Sequence, residues 1–206
     1  MIIKPLFGEL IGTFLLSLVT LAFVSYAGTP GFVGLYVPAG IAAAYALLSA
    51  LFGSTSGGQL NPAITVGLVA LRRVRPTTGA AYVAVQILGA ITALFLFRYL
   101  SGTTAFTNHA TDLRAFVAEM LGATILVWAV VAAGYGGIAA PYPGLTAGLG
   151  LFLALSIAQA FSGGIINPAV ALAQGSYGVA YLVAPLIGGV LGAFLGRLFS
   201  PAPTPQ

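Results

Sequence analysis

The sequence predicts an all-α integral membrane protein with six transmembrane helices and two re-entrant half-helices, arranged as an inverted repeat of three plus three spans. Three observations lead to this fold class: the composition, the lengths of the apolar segments and the landmark residues shared by the two halves. Of 206 residues, 59% are hydrophobic and 5% are charged, and the mean hydropathy is +1.06. Soluble domains carry about 25% charged residues. The chain is therefore suited to lipid.

Six apolar segments of the chain are long enough to cross a membrane. A helix that crosses a bilayer needs about 20 mostly apolar residues. Glycine, proline and charged residues divide the chain into six such segments, at residues 6–27, 35–53, 79–100, 114–134, 144–161 and 178–199. Two shorter apolar stretches remain, at residues 60–71 and 166–174, and each holds an Asn-Pro-Ala triplet preceded by a Gly-Gly pair. Because these stretches are too short to cross, we expect half-helices that dip into the membrane.

The polar composition excludes several classes of function. The chain has no cysteine, one histidine and three acidic residues, so it lacks the parts for disulfides, cysteine nucleophiles or clustered metal ligands. An intramembrane hydrolase would need a base in the membrane, but His109 falls in a predicted outer loop beside Asp112. We expect no enzyme, no catalytic residues, no metal and no cofactor. The seven Lys and Arg residues are scattered near segment ends, which argues against a nucleic-acid partner.

The distribution of basic residues predicts the orientation. In a six-span chain, one side carries five basic residues: Lys4, Arg72, Arg73, Arg75 and Arg197. The other side carries Arg98 and Arg114, together with His109. Basic loops stay in the cytoplasm, so both termini and the Arg72–Arg75 loop are predicted to be cytoplasmic and His109 external. The short loops favour a prokaryotic plasma membrane.

The two halves of the chain share landmarks in the same order. Three pairs correspond: Glu9 and Glu119, Asn61 and Asn167, and Tyr82 and Tyr181. Each half contains three spans, an odd number, so the second copy must be inverted relative to the first. We place the first repeat at residues 1–103 with a half-helix at 61–71, and the second at 104–200 with a half-helix at 167–175. A proline-rich tail follows at 201–206.

Each Asn-Pro-Ala triplet carries the signals that start a helix. Proline suits the first helical turn, and asparagine is a preferred N-cap. Because the copies enter from opposite sides, their positive N-terminal ends point at one place, where Asn61 and Asn167 offer amide donors. A neutral polar molecule can accept those hydrogen bonds, whereas a cation is repelled. The pattern predicts a pore.

These paired motifs resemble the aquaporin family, also called the major intrinsic proteins, and the likeness extends over residues 8–196. It implies six tilted helices, one pore per chain, a homotetramer in the lipid bilayer, and water and small neutral solutes as the permeating molecules. The implied pore motif residues are Asn61, Pro62, Ala63, Asn167, Pro168 and Ala169. The resemblance also assigns Glu9 and Glu119 to holding the re-entrant loops, and Gln86 to packing beside the first half-helix.

The sequence departs from the family at the outer constriction. Most members carry an arginine directly after the second triplet, where this chain has Val170, and the other three constriction positions fall on Ile41, Leu155 and Gly164. All four are apolar or glycine. Ala171 also replaces the aspartate typical of glycerol channels in the family. We expect a wide apolar mouth, with ion exclusion left to the half-helix dipoles.

Several functions stay open at this point. The leading hypothesis is a passive channel for water or small uncharged solutes, including a facilitator for gases or glycerol-like molecules. A structural membrane protein with the same fold and a closed pore is the second. An ion-coupled transporter is the third, but Glu9 and Glu119 are the two acids that the predicted spans supply for it.

Overall fold

The computed structural model describes residues 3–27, 34–103, 112–135 and 142–199. Within these ranges the chain forms nine α-helices: α1 (Ile3–Tyr26), α2 (Tyr36–Ser56), α3 (Pro62–Ala70), α4 (Pro76–Ser101), α5 (Leu113–Tyr135), α6 (Pro143–Ala158), α7 (Pro168–Ala173), α8 (Val179–Leu182) and α9 (Ala184–Phe199). His109 and the tail at 201–206 lie outside the described residues. The predicted all-helical fold class is confirmed.

Five apolar segments are long enough to cross a membrane: α1, α2, α4, α5 and the α8–α9 pair. The sixth predicted span corresponds to α6, which has 16 residues and ends at Ala158 rather than at residue 161. It ends there because the chain turns into the second re-entrant loop, where the amides of Phe161 and Ser162 donate to the Ala158 carbonyl. The expected helical element is therefore found at every predicted span, but the sixth is shorter than predicted.

The last span is interrupted, although the apolar run at residues 178–199 predicts one continuous helix. Helix α8 ends at Leu182, and α9 begins at Ala184. Pro185 lies at this break, and proline removes a helical N–H donor and clashes with the carbonyl four residues earlier. The corresponding residue of the first repeat is Gln86, and α4 continues through it without a break.

The two half-helices begin where the sequence predicts and end sooner. Helix α3 begins at Pro62 and α7 at Pro168, each directly after its asparagine. The predicted half-helices reached residues 71 and 175. Helix α7 instead stops at Ala173, and Gly175 follows with a positive φ of 76°, a conformation that ends helices because glycine adopts it without steric cost.

Glycines bring neighbouring spans into close contact at matched places in the two repeats. A Cβ at Gly188 would lie 2.1 Å from the Met120 carbonyl oxygen, and a Cβ at Gly89 would lie 2.4 Å from the Leu10 carbonyl oxygen. The backbone of α9 thus lies directly against α5, and that of α4 lies directly against α1. Small residues allow such approach between membrane helices, so the helix pairs frame the half-helices tightly.

Candidate functional site

Asn61 and Asn167 cap the half-helices. The Asn61 Oδ1 accepts from the Ala63 amide at 2.8 Å, and the Asn167 Oδ1 accepts from the Ala169 amide at 3.1 Å. Both asparagines have extended backbone conformations, as N-caps do. Pro62 and Pro168 occupy the first helical position, where no N–H is needed. Local sequence chemistry therefore sets the start of each half-helix.

The same two side chains join the half-helices to each other. The Asn61 Nδ2 donates to the Ile166 carbonyl at 3.1 Å, and the Asn167 Nδ2 donates to the Leu60 carbonyl at 3.0 Å. Each asparagine therefore binds the residue that precedes the other one. An asparagine amide has two N–H donors, so one on each side chain is not used by these bonds. The capping bonds also fix which side-chain atom is oxygen and which is nitrogen.

Glu9 on α1 holds the first re-entrant loop from inside the membrane region. This fully buried carboxylate accepts from the Gln59 and Leu60 amides at 3.0 and 2.7 Å, and from the Ser56 hydroxyl at 2.6 Å. The Gln86 Nε2 on α4 donates a fourth bond at 2.7 Å. A buried charge needs such donors to offset its lost hydration. The carboxylate thereby fixes the loop just before Asn61.

Glu119 on α5 holds the second loop with the same pattern. It is fully buried and accepts from the Ser162 hydroxyl at 2.7 Å and from the amides of Ile165 and Ile166. The two repeats differ beside the carboxylate, because Pro185 replaces Gln86 and offers no donor. In the second repeat the Tyr181 hydroxyl accepts from the Gly163 amide at 3.0 Å, which ties the loop to α8 instead.

Gln86 contacts both the first carboxylate and the first half-helix. Besides its bond to Glu9, its Nε2 donates to the Thr65 hydroxyl on α3 at 3.0 Å. The Thr65 hydroxyl in turn donates to the Asn61 carbonyl at 3.2 Å. The Gln86 side chain therefore lies beside the first half-helix.

The residue before each asparagine has a left-handed backbone. Leu60 has a φ of 54° and Ile166 a φ of 47°, which is unfavourable for branched side chains. Their amides are bound by the glutamates and their carbonyls by the opposite asparagines. These hydrogen bonds stabilise the strained conformation. No sequence signal pointed to the strain, because leucine and isoleucine have no preference for positive φ.

A narrow cavity contains both asparagines and all four predicted constriction residues. It has a volume of about 30 Å³, which is room for water-sized molecules. Its wall includes Asn61, Asn167, Ile41, Leu155, Gly164 and Val170. The four constriction residues are buried. We call this space the central cavity.

The central cavity is also lined by residues that were not predicted from the sequence. Four of them carry polar groups that are buried or half-buried: Thr20, Tyr45, Gln159 and Gln174. Helical spacing gave a usable signal for Tyr45, which lies one turn beyond Ile41 on α2. Thr20 and Gln159 had no such signal, because neither is adjacent to a motif.

A second, larger cavity opens on the side of the arginine loop. Its volume is about 760 Å³, and its wall includes Ser49, Gln59, Arg73, Arg75 and Val130. We call it the arginine-side vestibule. It shares no lining residue with the central cavity. Among the described residues, no group of three or more His, Cys, Asp or Glu could hold a metal ion.

The fold and site define a class of membrane protein in which two half-helices meet end to end through their capping asparagines. The family model described as "Major intrinsic protein" matches residues 1–196. The chain therefore belongs to the major intrinsic protein family, the aquaporins and their relatives.

Curated relatives cover most of the chain. It is 35% identical to aquaporin TIP2-1 of Arabidopsis thaliana, over 83% of this chain and 74% of the relative. It is 32% identical to aquaporin Z of Rhodopseudomonas palustris, over 96% and 93%. It is 30% identical to the glycerol uptake facilitator protein-like 6 of Lactiplantibacillus plantarum, over 93% and 95%.

The same fold is found among solved structures. The aquaglyceroporin from Plasmodium falciparum superposes with a TM-score of 0.77, covering 94% of this chain and 95% of that one, at 21% sequence identity. The chain is thus an integral membrane protein with the aquaporin fold.

Proposed function

We propose that the chain is a passive channel for water and small uncharged solutes, with an apolar outer constriction that valine leaves wider than an arginine would. The observation that carries the proposal is the central cavity, in which two capping asparagines share one narrow space with Ile41, Leu155, Gly164 and Val170. Relatives named as aquaporins and as a glycerol facilitator support the solute class. A passive channel needs no catalytic group, cofactor or metal.

Ion exclusion follows from the electrostatics of the asparagine pair. The N-terminal end of each half-helix carries a partial positive charge, and both ends lie at the same place because each asparagine binds the loop before the other. A cation entering there loses hydration and meets two positive ends. A neutral molecule can instead accept a hydrogen bond from a free asparagine N–H.

The outer constriction sorts solutes by size and dehydration cost. Val170 stands where most family members carry an arginine, so neither fixed charge nor a rigid donor is offered there. Val170, Ile41 and Leu155 present hydrocarbon to the cavity, and hydrocarbon gives no partner to a solute that leaves water. We infer weak discrimination among small neutral molecules.

The loop contacts have a supporting role in this proposal. Glu9 and Glu119 hold the re-entrant loops, and Gln86 braces the first one, so that Asn61 and Asn167 stay in line. Pro62, Ala63, Pro168 and Ala169 complete the two half-helix starts. We also propose that the chain forms a homotetramer in a prokaryotic plasma membrane, with both termini of each subunit in the cytoplasm. Each subunit consists of two repeats, at residues 1–103 and 104–200.

The test is permeation by the purified protein in liposomes. Stopped-flow light scattering would measure water, glycerol, urea and ammonia against empty liposomes, and a voltage clamp on planar bilayers would measure ions. We expect water and at least one neutral solute to pass faster than in empty liposomes, with no ion current. Permeabilities equal to those of empty liposomes for every solute would contradict the channel.

A structural membrane protein with a closed pore is the second candidate. It is favoured by one observation: the central cavity and the arginine-side vestibule share no lining residue. The same liposome panel separates the two functions, since a closed pore gives no permeation above background for any solute.

A further inference from the structure

We propose that Tyr45 forms a second constriction of the pore, between the central cavity and the arginine-side vestibule, where its ring limits solute size and its hydroxyl hydrogen-bonds the molecule that passes. This inference rests on the channel function proposed above. It adds a size-selective and hydrogen-bonding group at a position distinct from the asparagine pair and from the outer constriction.

Three helices locate the boundary between the two cavities. On α2 the lining passes from Tyr45 in the central cavity to Ser49 in the vestibule. On α5 it passes from Leu126 to Val130, and on α6 from Leu151 to Ala147. Each step is four residues, which is about one helical turn or 6 Å. The boundary is therefore a thin ring rather than a long plug.

The central-cavity side of this ring consists of Tyr45, Leu126 and Leu151. All three are buried, with 2%, 1% and 5% of their surface exposed. Tyrosine is the largest of the three side chains, and a rigid ring cannot shorten as a flexible chain can. The width of the passage at this level is therefore set mainly by Tyr45.

Among the residues that α2, α5 and α6 contribute to the central-cavity side of this boundary, Tyr45 is the one with a polar side-chain atom, its hydroxyl. This hydroxyl is buried and makes no hydrogen bond of good geometry with any of the described residues. Ser49 lies one turn further along α2, on the vestibule wall. A buried hydroxyl without a partner costs about 1–3 kcal/mol. A solute passing between the cavities can satisfy it as donor or acceptor.

The position of Tyr45 along the path also favours the passage of water. From the outer mouth inward, a solute meets the hydrocarbon of Val170, then the amides of Asn61 and Asn167, and then the Tyr45 hydroxyl. The asparagines offer donors, whereas a phenol can also accept. A water molecule both donates and accepts hydrogen bonds, so it finds more hydrogen-bonding partners along this path than a molecule that can only accept.

Two substitutions test the contribution of the Tyr45 ring and that of its hydroxyl separately. Tyr45→Val removes the ring and joins the two cavities, so we expect glycerol permeability to rise several-fold. Tyr45→Phe keeps the ring and removes one hydrogen-bonding partner, so we expect water permeability to fall about fivefold and glycerol permeability not to rise above the wild-type value. Tyr99→Val is the matched control, because Tyr99 on α4 is 84% exposed at the outside of the bundle.

The measurement is stopped-flow permeation of water and glycerol in proteoliposomes of equal protein content, with thermal unfolding to compare folding. Wild type against empty liposomes tests the channel itself. The second constriction is overturned if Tyr45→Val and wild type have equal permeability to water and to glycerol. This holds whether the two proteins are both highly permeable or both no more permeable than empty liposomes. If Tyr45→Val does not fold, unchanged water permeability in Tyr45→Phe overturns the role of the hydroxyl.

Discussion

Asn61 and Asn167 each bind the backbone residue that precedes the other, at 3.1 and 3.0 Å, while their side-chain oxygens cap their own half-helices. One asparagine therefore fixes both the start of its own helix and the position of the opposite loop. Few side chains combine an acceptor and a donor at this length. The asparagines thus have a structural function even where no solute is bound.

Exchange of either asparagine for aspartate removes the side-chain N–H donor and keeps the side-chain oxygen that caps the half-helix. Aspartate is as good an N-cap as asparagine, so each half-helix should still start at its proline. The carboxylate cannot donate to the opposite carbonyl, and we expect a loss of about 1–3 kcal/mol in the free energy of unfolding together with lower water permeability. Thermal unfolding and stopped-flow permeation of Asn61→Asp and Asn167→Asp would measure both.

The double variant tests whether the two bonds form one unit. If the half-helices are held by both bonds together, Asn61→Asp with Asn167→Asp should cost less than the sum of the single variants. Additive losses would contradict the coupling.

The positions of the half-helices and spans were predictable because their signals are local. Proline after asparagine sets a helix start wherever it occurs, and a long apolar run requires a spanning helix. The break at Pro185 was missed although proline was visible in the sequence. Proline is tolerated inside membrane helices when neighbours satisfy the backbone, so its presence alone did not indicate a break.

Other features of the site depend on tertiary contacts. The positive φ of Leu60 and Ile166 arises from hydrogen bonds to residues about 50 and 100 positions away, which local sequence does not encode. Tyr45 was missed because an aromatic residue in an apolar span is ordinarily part of the core. Its place on a cavity wall follows from the packing of α2 against α5 and α6.

Exchange of Glu9 for glutamine should destabilise the first re-entrant loop. Four donors converge on the two carboxylate oxygens. In glutamine, the amide N–H groups would face some of these donors, and no hydrogen bond could form there. Hydrogen bonds to charged groups contribute about 1.5–3 kcal/mol each, so we expect a loss of about 3 kcal/mol or more for Glu9→Gln. Thermal unfolding in detergent would measure it.

The matched control is Asp112→Asn. The Asp112 Oδ1 accepts from the Ala115 amide at the start of α5, and asparagine caps a helix equally well. This variant removes an acidic charge in the same way and should leave the unfolding temperature nearly unchanged. Equal losses in both variants would contradict a specific role for Glu9.

Exchange of Gly188 for alanine should separate α9 from α5. The added Cβ would lie 2.1 Å from the Met120 carbonyl oxygen, which is backbone and cannot rotate away. Overpacking of this kind costs about 1–3 kcal/mol. Gly53→Ala is the control, since no atom of the described residues outside the adjoining helix backbone lies within 4 Å of its added Cβ and alanine favours a helix by up to about 1 kcal/mol. Thermal unfolding should therefore move in opposite directions, and a loss in both variants would contradict the packing argument.

The orientation can be tested because the chain has no cysteine. Single cysteines at Arg75 and His109 would be labelled in intact cells with a membrane-impermeant maleimide. The excess of basic residues beside Arg75 predicts that this position is protected until the membrane is opened. His109→Cys should be labelled from outside. The reverse pattern would reverse the orientation, and labelling of both sites from one side would contradict six spans.

Exchange of Val170 for arginine tests the apolar constriction. Val170 is buried on the wall of a cavity of about 30 Å³, so a longer side chain must occupy space that a solute would use. We expect glycerol permeability to fall more than water permeability, because the guanidinium narrows the passage and supplies several N–H donors that a water molecule can use. Proteoliposome swelling in glycerol and shrinkage in sucrose would measure the two.

Val170→Met separates volume from charge at the same position. Methionine fills the cavity without donors, so it should lower glycerol and water permeability together, whereas arginine should lower glycerol selectively. Both variants extend beyond valine by a flexible unbranched chain, which makes the comparison one of polarity. Unchanged permeability to both solutes in both variants would show that Val170 does not line the path. Equal effects of arginine and methionine would show that width alone, and not the missing charge, determines what passes the outer constriction.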